Sequence, residues 1–319
     1  MSFWQEYENI NEELNEVRNM IIKSTKSKYL GEVMEPMIYS SGKMLRPAFV
    51  LLAGKFGHYD ASRLKKFAMI IEILHMATLI HDDIIDDADM RRGQPSIQAE
   101  KGKNAAVFIG DYYLCQCFLM LSSDYEQEDL QHIARVINAI CLAEVQQNFN
   151  KRNNNLSVRN YLKVISGKTA ALFALSFYMG AKVGNCELKL CQDLGRLGKY
   201  IGMAFQIMDD ILDYSSDQLS LGKENNKDIQ QGYYTLPLIY ALNNDKNSEL
   251  KNLLDKEDLT KEEYALIVNM VNANGGISYS MDLAQTYVNK AFDIITHLPE
   301  GESKTVLKDI TDKLLKRKY

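Results

Sequence analysis

The stretch LKKFAMIIEILHMATLIHDDIID, Leu64 to Asp86, decides how the rest of this 319-residue chain is read. Its inward stripe, Leu64, Phe67, Ala68, Ile71, Leu74, His75, Thr78 and Leu79, steps by three and four, as one buried face of a helix does. Past that stripe the same helix carries Asp82, Asp83 and Asp86. Positions four apart lie about 40° from each other around the axis, so Asp82 and Asp86 share a face. The pattern returns far downstream at Asp209, Asp210 and Asp213, as Asp-Asp-Ile-Leu-Asp against Asp-Asp-Ile-Ile-Asp. Like charges at this spacing repel by roughly 0.2–0.5 kcal/mol when exposed, and by more if both clusters point into one cavity. All-oxygen ligands suit a hard divalent cation such as magnesium, which usually also binds substrate phosphates. The pattern therefore asks for a phosphate-bearing substrate.

Basic residues nearby fit that demand, each with a plainer alternative. Arg91 and Arg92, followed by Gly93 and Pro95, either cap the end of the acidic helix or face an anion. Gly42-Lys43-Met44-Leu45-Arg46-Pro47 places two cations at a helix start, where free N–H groups already favour anions; the alternative is a solvated basic turn. Gly167-Lys168-Thr169 opens an apolar helix, an end at which the helix dipole disfavours a lysine unless an anion is near. Gln206 shares a face with Asp209 and either satisfies a core hydrogen bond or presents its carbonyl oxygen to a developing cation.

The chain reads as helix almost throughout. Candidate helices cover 3–23, 28–39, 46–56, 60–86, 96–100, 104–122, 128–150, 158–165, 168–184, 187–213, 234–243, 248–254, 260–273, 276–297 and 301–317. The five prolines fall near helix starts or in connections, and strand signals are weak, with no Asn-Gly hairpin between apolar runs. The longest connection, Ser215–Gly232, follows the second aspartate cluster directly and has the length and polarity of a lid. No shift in composition marks a boundary, so residues 1–319 are expected to form one all-α domain.

Composition narrows the function. Hydrophobic residues are 46% and charged residues 25%, ordinary for a globular protein. A net charge of -5 argues against nucleic acid as a partner. The polar, acidic start lacks the apolar core of a signal peptide, and the longest apolar stretch, Ala170–Ala181, falls short of a bilayer span. Five cysteines without zinc-type spacing fit reduced thiols, so a cytoplasmic location is expected. The basic run Lys313, Lys316, Arg317 and Lys318 reads as a solvated tail, with at most peripheral contact to anionic lipid.

Taken in order, Gly42–Pro47, His75, His81–Asp86, Arg91–Gly93, Gly167–Thr169, Phe205–Asp213 and Thr235-Leu236-Pro237 resemble the trans-isoprenyl diphosphate synthases. The resemblance implies an isoprenoid synthase-type helical bundle around a deep apolar tunnel, with the two aspartate motifs at its mouth. It implies about three magnesium ions, with Asp82, Asp86 and Asp209 as ligands and Asp83, Asp210 and Asp213 in support. Arg91 and Lys168 would hold an allylic diphosphate. Lys43, Arg46, His75 and Arg92 would hold isopentenyl diphosphate. Thr169 and Gln206 would face the allylic cation. One departure stands out: Tyr233 follows Gly232 where many members have a lid lysine, and Lys223 or Lys227 is the expected substitute.

In short-chain members bulky aromatics stand four or five residues before the first motif. Here Thr78 and Ala77 are small, so a product of about C30–C40 is expected, centred on heptaprenyl (C35), a quinone (menaquinone) side-chain length. Within the family the resemblance is nearest the catalytic component of bacterial heptaprenyl diphosphate synthases, which pairs with a small subunit lacking the aspartate motifs; a homodimer is the other expectation. A class I terpene cyclase would not need Lys43, Arg46 and Arg92. A non-catalytic scaffold would be expected to have lost its acidic ligands, and a calcium-binding helical protein would show a twelve-residue loop that is absent.

Overall fold

The computed structural model describes residues 3–25, 38, 42–214, 227–256 and 259–315. Among these residues the protein is helical, with one two-stranded hairpin. Close contacts group into two units, 1–134 with 175–195, and 135–174 with 196–319.

The first unit is built around helix α3 (Ala61–Ile85), which packs against α1 (Glu8–Ser24), α2 (Leu45–Gly54), the short α4 (Ile97–Lys101) and α5 (Lys103–Asp124). Asp60 starts α3: its Oδ1 accepts from the backbone N–H groups of Ser62 at 3.0 Å and Arg63 at 3.1 Å, filling two donors that a helix start leaves open. Burial on α3 spreads well beyond the single stripe, with Met69, Ile70, Ile73 and Met76 also enclosed, because neighbours cover it on several sides. Helix α2 is approached very closely by the 175–195 segment. A Cβ on Gly180 would lie 2.4 Å from the Val50 carbonyl oxygen, and one on Gly184 2.5 Å from that of Gly54. Beside that contact Phe49 and Phe177 stack with centroids 4.5 Å apart.

The connection after α3 differs from the expected helix end. Met90–Arg91 (β1) and Gln94–Pro95 (β2) pair antiparallel, joined by Arg92 at φ 52° and Gly93 at φ 78°. Two successive positive φ values make the tight hairpin turn whose twist matches the strands, and glycine takes the second position without strain.

In the second unit, α6 (Gln127–Phe149), which begins in the first, is followed by α7 (Val158–Ile165) and a single π turn (Ser166–Ala170), and α8 (Ala171–Val183) runs on from it with 175–183 belonging to the first unit. Lys168 was expected at a helix N-terminus. It lies inside a continuous helical run instead, because the π turn absorbs one extra residue without breaking the chain of hydrogen bonds. Helices α9 (Leu188–Leu212), α10 (Lys227–Gln231), α11 (Leu236–Asn243), α12 (Glu249–Leu254), α13 (Lys261–Ala273), α14 (Gly276–His297) and α15 (Glu302–Leu315) follow. Their core gathers Tyr161, Met203, Ile207, Leu236, Leu238, Ile267, Val271 and Ala284. Helix α10 falls within the long connection expected to lack secondary structure.

Two helical runs, Lys103–Asp124 and Val158–Val183, are long and apolar enough to cross a membrane by length and composition alone, a test that core helices also pass. The second is 67% buried, as a core helix of a water-exposed protein would be. The first is 33% buried, and one face of it presents Val107, Phe108, Cys115, Phe118 and Leu119 to solvent.

Candidate active site

In the first unit, α3 carries Glu72, His75 and Asp82 on one side, and Asp86 caps its C-terminal end. Asp82 and Asp86 are half-buried, whereas Asp83 is 4% exposed. The hairpin brings Arg91 back onto Asp83: Nε donates to Asp83 Oδ1 at 2.8 Å, and Nη2 reaches the same oxygen. Asp83 is thereby engaged by a guanidinium, while Asp82 and Asp86 are the more exposed carboxylates of the cluster. His81, just before them, has Nε2 3.3 Å from Asp111 Oδ1.

Arg46, on the first turn of α2, donates Nη1 to His75 Nε2 at 3.0 Å. A guanidinium has no acceptor, so His75 is the neutral imidazole with its proton on Nδ1. Withdrawal from water holds the His75 pKa well below its ordinary value, and Arg46, Arg92 and Arg91 push it the same way. Burial also lowers Arg46, to about 10, against an opposing pull from Glu72. Arg92 is lowered for the same first reason, and its guanidinium carbon lies 3.0 Å from where a Cβ on Gly42 would stand. The structure thus brings Arg46, His75 and Arg92 together with the Gly42 turn. Lys43 is half-buried beside them in sequence, with Nζ 4.8 Å from the Phe3 ring centroid.

In the second unit a hydrogen-bonded chain runs through three of the expected residues. Thr169 Oγ1 donates to Gln206 Oε1 at 2.7 Å, and Gln206 Nε2 donates to Asp210 Oδ1 at 2.8 Å. Tyr161 closes it by donating to Asp210 Oδ2 at 2.5 Å. Both Asp210 oxygens are occupied and the residue is 6% exposed, while Asp209, one position earlier, is exposed. Lys168 Nζ lies 3.0 Å from Glu144 Oε2 and 2.8 Å from Gln147 Oε1, so the anion its position called for is a side chain of α6. Burial, then Asp228, pushes Asp210 well above the carboxylate range. The same causes push Asp213 up to about 7, with a hydrogen bond to Asp228.

These donors fit a divalent cation. The carboxylates of Asp82, Asp86 and Asp209 are hard oxygen donors, and the second cluster adds Asp210 and Asp213, whose pKa values are raised first by burial and then by Asp228. Among the described residues no three acidic, imidazole or thiol groups converge as a ready cage; magnesium, held by one or two carboxylates plus substrate phosphates, requires none.

Ala77 is fully enclosed in the α3 packing, whereas Thr78 is half-buried, its Oγ1 donating to the His75 carbonyl at 2.8 Å. Lys223, and the side chain of Lys227, lie outside the described residues, as do Lys316, Arg317 and Lys318. The Tyr233 ring has Lys151 Nζ 4.5 Å from its centroid. Sequence reasoning missed Tyr161, Glu144, Gln147, Asp228 and Glu72. Only Glu72 announced itself, as the sole acidic residue in an apolar run.

Two largely helical units, each with an aspartate cluster at a helix end, fit a prenyltransferase-type protein. The polyprenyl synthetase family model matches residues 27–271. Heptaprenyl diphosphate synthase component 2 of Bacillus subtilis is 36% identical, covering 100% of this chain and 92% of the relative. The geranylgeranyl pyrophosphate synthase of Lactobacillus brevis superposes with a TM-score of 0.92 at 31% identity, over 98% of this chain and 99% of that one. A polyprenyl synthase from Caulobacter crescentus, solved with calcium and isoprenyl diphosphate, gives 0.89 at 27% identity, over 97% and 96%. The chain belongs to the polyprenyl synthetase family and has its all-α isoprenoid synthase fold.

Proposed function

We infer that this prenyltransferase condenses isopentenyl diphosphate with an allylic diphosphate such as farnesyl, giving a long all-trans polyprenyl diphosphate of about C30–C40, centred on heptaprenyl. The observation that carries this reading is one helix, α3, holding a metal-suited carboxylate pair and, roughly two turns away, a neutral His75 bonded to Arg46. The two features suit two differently bound diphosphates.

Asp82, Asp86 and Asp209 would hold magnesium, about three ions with the substrate's own oxygens. Bound there, the metal supplies charge neutralisation to the leaving diphosphate. Arg91 and Lys168 hold the same diphosphate, each kept in place by a carboxylate, Asp83 and Glu144. Arg46, Arg92, His75 and Lys43 receive isopentenyl diphosphate. Thr169 and Gln206 sit beside the allylic carbon, with Asp210 and Tyr161 fixing the amide. The proton lost after carbon–carbon bond formation goes to the departed diphosphate, since no side chain of the site is an evident base.

The heptaprenyl length is favoured by the small residues Ala77 and Thr78 and by the name of the Bacillus subtilis relative; the Lactobacillus brevis neighbour marks the shorter alternative. The apolar face of α5 suits a second subunit, either another copy or a small non-catalytic chain, in a cytoplasmic enzyme serving menaquinone side chains. Residues 1–319 act as a single synthase domain in this reading. Farnesyl diphosphate, labelled isopentenyl diphosphate and magnesium, mixed with the purified chain with and without the small subunit, test it: label in an extracted lipid supports the proposal, and its size sets the length. Pyrophosphate release without isopentenyl diphosphate would mean a cyclase.

A further inference from the structure

Glu72 has no task in the chemistry proposed for the first unit, and a buried acid is kept only where cations compensate it. It is 3% exposed, between Ile71 and Ile73 in the middle of α3. Three cations act on it, Arg46, Arg92 and Arg18, against the desolvation that pushes its carboxyl up. It lies one turn before His75 on the same helix, and His75 accepts from Arg46 at 3.0 Å. Arg18 donates Nη1 to Asn15 Oδ1 at 2.7 Å, and its Nη2 lies 3.3 Å from Met44 Sδ, two residues before Arg46. Arg92 arrives from the hairpin, against the Gly42 turn.

We propose that Glu72 is a resident counter-ion that competes with diphosphate for Arg46 and Arg92, and so keeps this metal-free basic site from gripping an anion too tightly. The inference rests on the function proposed above. After each condensation the lengthened product still carries the diphosphate that entered with isopentenyl diphosphate, seated on these guanidinium groups. A further round requires that diphosphate to leave them. A site of cations alone would hold the product; one whose guanidinium groups also feel a resident negative charge binds more weakly and releases faster. Glu72 is a positioning residue in this scheme, acting through the arginines without touching substrate.

The test is a calorimetric titration of the full chain with inorganic pyrophosphate in the absence of divalent cation, so that the aspartate clusters repel the probe. One charge removed from among the cations of a partly buried site is worth about tenfold in anion affinity. Glu72→Gln is therefore expected to bind pyrophosphate about tenfold more tightly than wild type. Glu72→Asp, which withdraws the charge by one methylene, falls between. In turnover, KM for isopentenyl diphosphate and kcat drop together in the Gln variant, while KM for the allylic substrate stays put. Unchanged or weaker pyrophosphate binding by the Gln variant overturns the proposal and leaves Glu72 a structural counter-charge. Should that variant not fold, the Asp variant decides, and affinity equal to or below wild type overturns it. A wild-type chain that binds pyrophosphate but incorporates no label would instead defeat the function on which the inference rests.

Discussion

Tyr161 donates its phenolic O–H to Asp210 Oδ2 at 2.5 Å, inside a core from which both side chains are nearly excluded from water. Tyr161 stands on α7 and Thr169 within the π turn that follows it, so the two residues reach the same carboxyl–amide network from one helical run. Tyr161→Phe keeps the ring and removes the donor, leaving one oxygen of a buried carboxyl unsatisfied. Such a loss costs about 1–3 kcal/mol. Urea unfolding should show that decrease, and an unchanged midpoint would mean the bond contributes nothing in solution.

His75 makes folding depend on pH in a definite direction. Folded, its pKa is well below the ordinary value because of burial and the neighbouring arginines; unfolded, it titrates near 6.5. Above that value neither state binds the proton and the contribution is complete. As pH falls below it the unfolded chain takes up a proton that the folded one refuses, so stability drops by at most about 1.4 kcal/mol per pH unit. His75→Gln should flatten this region of the stability–pH curve relative to wild type. Parallel curves below pH 6.5 would show that His75 is protonated in the folded protein.

Gly180 answers to space. A Cβ there would stand 2.4 Å from a backbone oxygen of Val50, so Gly180→Ala must push the α2 and α8 backbones apart and should cost roughly 1–3 kcal/mol, as overpacked cores do. Gly93 meets nothing within 4 Å but sits at φ 78°; Gly93→Ala incurs only the left-handed strain of about 1 kcal/mol. Thermal melts of the two variants separate the causes, and a larger loss at Gly93 would reverse the assignment.

The helices were legible because most of this chain's information is periodic. The α3 stripe, and the ends at 158–165 and 276–297, follow from apolar spacing and small capping residues alone. The hairpin was not legible: Arg92 supplies one of its positive φ values, and no pattern marks an arginine for that conformation. Nor was the π turn, since Ser166–Ala170 has ordinary helical composition and its extra residue is dictated by tertiary packing. At the candidate site, residue type and spacing were enough to single out the aspartates and arginines as candidates. Tyr161 and Glu144 were not, because each becomes meaningful only through a partner 49 and 24 residues away.

The apolar face of α5 carries Phe108 at 72% exposure and Leu119 at 61%. Exposed aromatic and leucine side chains along one helix face mark a contact surface. Phe108→Asp should convert an associated species into a monomer in light scattering, with helix content unchanged in circular dichroism. A wild-type chain already monomeric at high concentration would leave the small subunit as the remaining partner, and Phe108→Asp should then abolish its capture.

Product length separates two adjacent residues. Ala77→Phe should shorten the product to farnesyl or geranylgeranyl size if the growing tail passes this turn of α3. Ala77, however, is fully enclosed, so a phenyl ring there also overpacks the helix and should lower stability by roughly 1–3 kcal/mol. Thr78 is half-buried, and replacing it should block the tail with less harm to folding. The two effects are distinguished by pairing chromatographic sizing of labelled products with a melt of each variant. A Thr78→Phe enzyme that folds normally and still makes the wild-type length would remove this helix face from the tail's path, and the expectation of a long product would lose its sequence-level basis.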